Sequence, residues 1–153
     1  MRFCNRMILV ILAMVASFAT ALASEQAVTF KDLPPAVQRT VEEQSKGAVI
    51  RGFSKEVEGG KTVYEVQMKV NGRGKDISMN ASGAILEVEE EVALEDVPGA
   101  ARAAIEKAAS GGQITKVERV SGGKRTAYEA HFRKDGKRRE VSVSADGREL
   151  PED

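Results

Sequence analysis

Apolar residues recur at two different periods along this chain, and the period changes at matching places in its two halves. Leu33, Val37 and Val41 fall at four-residue steps, as do Val97, Ala101, Ile105 and Ala109. Each set is a single stripe along a helix, with Gln38, Arg39, Glu42, Glu43 and Arg102, Glu106, Lys107 turned away from it. Asp32 and Asp96 are the expected N-caps, Pro34-Pro35 and Pro98 suit a first turn, and Gly47 and Gly111-Gly112 stop the run. The period then falls to two. Tyr64, Val66, Met68 and Val70 share one face of a strand, matched later by Tyr128, Ala130 and Phe132. Ile77 and Met79, with Val141 and Val143, line the next strand in the same way.

Turn chemistry separates these strands. Asn71-Gly72 and Asp135-Gly136 are two-residue hairpin signals, because both positions tolerate positive φ. Gly59-Gly60, Gly122-Gly123, Ser82-Gly83 and Asp146-Gly147 mark the other turns. The predicted strands are 48–57, 61–70, 73–80 and 84–90, then 113–121, 124–134, 137–144 and 147–150. In the first of them Val49, Ile50, Phe53 and Val57 break strict alternation, which predicts a bulge or a short helical extension. Arg148-Glu149 stands where apolar residues are expected, so the last strand should be short.

The halves repeat at a fixed step of 64 residues without a gap: Asp32-Leu33-Pro34 returns as Asp96-Val97-Pro98, Tyr64-Glu65 as Tyr128-Glu129, and Gly83 as Gly147. The expected fold class is therefore α+β: two tandem repeats, each a helix across a four-stranded antiparallel sheet, at 24–91 and 92–153. A cleavable signal helix is expected over 1–23. Arg2 and Arg6 precede the apolar run Met7–Phe18, and Ala21-Leu22-Ala23 offers a small-x-small cleavage site. That run is short for a span, so no stable membrane span is expected after cleavage.

Composition narrows the chemistry further. Cys4, the only cysteine, leaves with the leader, which excludes disulfides and thiolate metal sites from the exported chain. Lys and Arg total 23 against 23 Asp and Glu, and neither half is strongly basic, which argues against nucleic acid as a partner. There is no Trp and few other aromatics to build a large aromatic binding surface.

The pattern resembles the PepSY-like domains of exported bacterial proteins. Leu33-Pro34-x-Ala36-Val37, Tyr64-Glu65-Val66 and Ser82-Gly83-x-Ile85-Leu86 carry the likeness in the first half. Val97-Pro98-x-Ala100, Tyr128-Glu129-Ala130 and Asp146-Gly147-x-x-Leu150 carry it in the second. Two such units side by side are also similar to the β-lactamase-inhibitor-protein fold, in which a joined sheet presents one concave surface. The resemblance implies binding, inhibition of a peptidase or other exported enzyme included, and brings no catalytic residues with it.

Candidate chemistry is sparse. His131, the only histidine, lies on the strand face opposite Tyr128 and Phe132, with no nucleophile–base spacing around it and no second histidine for zinc. Glu87, Glu89, Glu90 and Glu91 lead into Glu95 and Asp96: either a weak calcium site or, as expected here, a solvated edge strand. Lys124, Arg125, Arg133, Lys137, Arg138 and Arg139, with Lys134, gather on the second half's central hairpin and form the candidate partner surface. Gly74, Gly111-Gly112 and Gly122-Gly123 lack the setting of a phosphate loop. No cofactor, metal or catalytic residue is expected. The expectation is a periplasmic or secreted, non-enzymatic module that binds a protein or peptide of the cell envelope. The alternative is an envelope ion- or polyanion-binding protein.

Overall fold

A computed structural model describes residues 25–123 and 125–151; the expected signal segment 1–23 lies outside the described residues. The chain is an antiparallel meander. The strands are β1 (Gln26–Val28), β2 (Val49–Glu58), β3 (Lys61–Val70), β4 (Arg73–Asn80), β5 (Ile85–Glu91), β6 (Gln113–Gly122), β7 (Arg125–Lys134), β8 (Lys137–Ser144) and β9 (Glu149–Leu150). They stand in sequence order in one nine-stranded sheet. Helix α1 (Pro35–Gln44) interrupts the meander between β1 and β2, and α2 (Gly99–Ala108) between β5 and β6.

This corrects the expected fold class. Two separate helix-plus-four-strand units do not form, because β5 pairs with β6 from Glu87↔Gly122 to Glu91↔Glu118 and carries the sheet through the middle of the chain. β1, a strand not foreseen, pairs with β2 from Gln26↔Lys55 to Val28↔Phe53. It was missed because three residues are too few to show a period. β5 is central and not the edge expected from its glutamates, and only the short β9 follows β8.

Both helices lie on one side of the sheet. Val37 and Val41 of α1 pack with Val66, Met68, Ile77 and Met79, while Ala101 and Ile105 of α2 pack with Val117, Ala130, Phe132, Val141 and Val143. Cross-strand register places these two clusters on the same face, since Val88 opposes Ser121 and Glu90 opposes Arg119, which opposes Tyr128. Between the clusters Glu90 bridges Lys75 (3.1 Å) and Arg119. The Arg119 guanidinium, followed by the Lys75 ammonium, holds the Glu90 carboxyl below its ordinary range despite partial burial.

Local signals are realised with one exception. Asn71-Gly72 and Asp135-Gly136 have φ of 53°, 83°, 52° and 73°, the left-handed pair that a two-residue hairpin needs. A register shift falls between Ile50 and Gly52, the expected bulge, and another between Ile114 and Lys116. The expected caps Asp32 and Asp96 do not cap the helices, because Pro34 and Pro98 occupy those positions. Asp32 instead closes the preceding 3-10 turn, where its Oδ2 accepts from the Thr29 N–H (2.8 Å) and hydroxyl (2.7 Å). Asp96 ends the equivalent turn and faces Arg73 at 3.6 Å.

Candidate functional site

With both helices on one face, the other face of the sheet carries no helix. Residues two apart on a strand share a face, so the positions alternating with the core come together there. Across the sheet Asp76 opposes Glu89, which opposes Val120, and Glu87 opposes Ser78. Glu91, Glu118, Glu129 and Ser142 stand in one row over four strands. Like charges placed directly opposite repel, so this face is under electrostatic strain.

Glu118 is the most enclosed of these acids, only 5% exposed, and is held by two cations or potential cations. Lys116 Nζ lies 2.7 Å from its Oε2 and His131 Nε2 lies 3.3 Å from the same oxygen. The other ring nitrogen of His131 is 3.1 Å from Glu140 Oε2. The histidine is thus a link between a buried and an exposed carboxylate. Burial opposes the charge on Lys116, but Glu118, Glu89 and Asp76 outweigh it and raise its proton affinity.

The carboxylates flanking that link also hold their protons more tightly than usual. Burial, then the charges of Glu118, Glu87, Glu129 and Asp76, raise Glu89 to about 7. Burial with Glu65 and Glu118 raises Asp76, and burial with Glu140, Glu87 and Glu118 raises Glu129. A groove of about 780 Å³ runs here, with Val120 in its lining and Glu87, Glu89, Glu129, Ser142 and Leu150 around it.

These shifts carry a sign. Glu89 binds its proton more tightly folded than unfolded, so the stability is fully present below its ordinary value of 4.5 and is lost as pH rises toward about 7. Glu89→Gln should therefore stabilise the protein at pH 8 by about 1–2 kcal/mol, a figure reduced for the group's partial exposure. At pH 4 it should change nothing. Thermal melts of both proteins at the two pH values measure this difference, and an equal effect at both would contradict it.

The basic residues singled out in the sequence do not form one patch. Lys124 lies outside the described residues. Arg125 begins β7 opposite Gly122, whereas Arg133 stands one residue before its end, opposite Arg138. Eight residue steps along a strand separate these ends by about 26 Å. Arg133, Lys137, Arg138 and Arg139 do share the β7–β8 turn end, all exposed. The glutamates of β5 do not form one cluster either: Glu90 faces the helix side with Lys75 and Arg119, Glu87 and Glu89 face the other, and Glu91 Oε2 accepts from the Gly74 N–H at 2.8 Å. The carboxylate row through Glu118 and Glu129 was overlooked. Its signal was there: both residues alternate with the core positions Val117 and Ala130.

No protein-family model and no curated protein matches the sequence. Solved structures do. A BLIP-like protein from Bacteroides fragilis is similar at 20% identity over 79% of this chain and 85% of that one, with a TM-score of 0.59. A DUF2874 family protein from Bacteroides ovatus is similar at 19% identity over 78% and 86%, with a TM-score of 0.61. A candidate periplasmic protein from Bacteroides eggerthii is similar at 15% identity over 78% and 86%, with a TM-score of 0.64. No match supports the finer resemblance to PepSY-like domains. No helix among the described residues is long and apolar enough to cross a membrane. At these identities the likeness establishes the fold alone, and that fold is BLIP-like.

Proposed function

We propose that this chain is an exported, non-enzymatic module that binds a polypeptide partner of the cell envelope on the helix-free face of its sheet. One observation carries the reading: a continuous sheet covered by helices on one side only, whose bare side keeps half-buried carboxylates in mutual repulsion. A fold that retains such strain without a structural return is shaped for something outside itself. A partner presenting lysine or arginine to Glu89 and Glu129 would relieve it. The location is the periplasm, in keeping with the expected leader and with the description of the B. eggerthii protein. Inhibition of an envelope enzyme is the finer form of the reading, and it rests on likeness of fold to a BLIP-like protein.

Photo-crosslinking tests this directly. A photoreactive residue at Gln67 or Ser142, on the bare face, should capture a discrete polypeptide from envelope extracts. The same residue at Glu43 or Glu106, exposed on the helices, should not. Capture from the helices alone, or from neither face, would overturn the assignment. His131→Ala should leave capture intact.

A further inference from the structure

We propose that the outer edge of β8, Lys137–Val141, is a docking site for an acidic extended segment of a partner polypeptide, which joins the sheet as an antiparallel strand. The site is distinct from the bare face and stands or falls separately from it.

The edge is open over most of its length among the described residues. Among the described residues β9 pairs with β8 only at Ser142↔Leu150 and Val143↔Glu149. Pro151 follows; it has no N–H to give to a ladder and stops the strand. Among the described residues, no strand meets the alternate N–H and C=O groups of Lys137–Val141. A recess of about 810 Å³ lies along this stretch, lined by Arg138, Arg139, Glu140, Val141 and Glu149 among others.

The molecule itself shows what such an edge accepts. Sixty-four residues earlier β4 has the same character: Arg73, Lys75, Asp76 and Ile77 stand where β8 has Lys137, Arg139, Glu140 and Val141. There the outer side from Lys75 to Met79 is taken by β5, Ile85–Glu91, an acidic antiparallel strand paired from Lys75↔Glu90 to Met79↔Ile85. Side chains reinforce the ladder, with Lys75 Nζ 3.1 Å from Glu90 Oε1 and the Gly74 N–H donating to Glu91 Oε2 at 2.8 Å. β8 presents one more cation than β4, because Arg138 replaces Gly74, yet among the described residues Lys137, Arg138 and Arg139 have no acidic partner. Charged edges also deter wrong pairing. A second copy would bring the same positive edge and be repelled, whereas an acidic strand is complementary.

The probe is a fluorescent peptide with the sequence of residues 84–92, offered to the exported chain. It should bind, slow amide exchange at residues 137–141, and bind about tenfold more weakly to the Lys137→Glu/Arg139→Glu protein. Those exposed changes should leave the melting temperature within a degree or two, which a thermal melt verifies. A peptide with lysine in place of each glutamate should not bind. Absence of binding, slowed exchange elsewhere instead of at 137–141, or equal affinity for the double variant would each overturn the proposal. Crosslinking from Gln67, on β3 and five strands away from β8, is read independently, so failure of the peptide leaves the bare-face reading intact.

Discussion

Gly83→Ala is expected to destabilise the protein by about 2–4 kcal/mol, far more than a typical hairpin glycine. Gly83 has φ +77°, which alone penalises a Cβ, and that Cβ would sit 2.5 Å from the Ala36 carbonyl oxygen and 2.9 Å from Thr40 Oγ1 on α1. The turn is also tied to the helix, since the Thr40 hydroxyl donates to the Gly83 carbonyl at 2.8 Å. Backbone on backbone cannot yield as a flexible side chain can. Gly147→Ala should behave alike, with φ +83° and its Cβ 2.6 Å from the Ala100 carbonyl oxygen on α2. Gly72→Ala is the control, because its φ is equally positive but nothing lies within 4 Å; it should cost only about 1 kcal/mol. Urea denaturation midpoints of the three variants rank them, and equal losses would show that helix–turn contact is not what these glycines serve.

Ile77→Ala and Ile105→Ala should each cost about 3 kcal/mol through lost burial and an unfilled cavity. Both side chains are fully buried, Ile77 under α1 and Ile105 within α2, in two different clusters. The β5–β6 ladder couples those clusters, so each variant should lower one common unfolding transition. Circular dichroism and exchange at strands of either half should report the same midpoint. Two separated transitions would contradict the coupling.

Most of the local architecture was legible because it is written in short-range chemistry. Asn71-Gly72 and Asp135-Gly136 admit few backbone conformations, and the broken alternation around Ile50 foretold its bulge. The inward set from Tyr64 to Val143 followed from period alone. What failed was what depends on distant pairing. Nothing in Glu87–Glu91 says that β6 lies beside it, and a strand with charges on both faces reads as an edge until its neighbours are known. Asp32 and Asp96 looked like caps because their spacing from the helix is short, but a proline at the next-but-one position takes the cap and leaves the aspartate to a separate turn. The basic residues looked like one patch because a hairpin folds near them; β7 is long enough to hold Arg125 and Arg133 apart. The bare-face carboxylates were readable by alternation, yet their repulsion appears only when Glu118 and Glu129 meet across two strands.

One bare face exists only because the sheet runs unbroken from β5 into β6. Amide hydrogen exchange in the native protein measures it residue by residue. Protection across 87–91 and 118–122 as strong as at the centres of β3 and β7 is the predicted result. Rapid exchange at those junction amides, with β3 and β7 still protected, would mean two separate sheets and no shared surface.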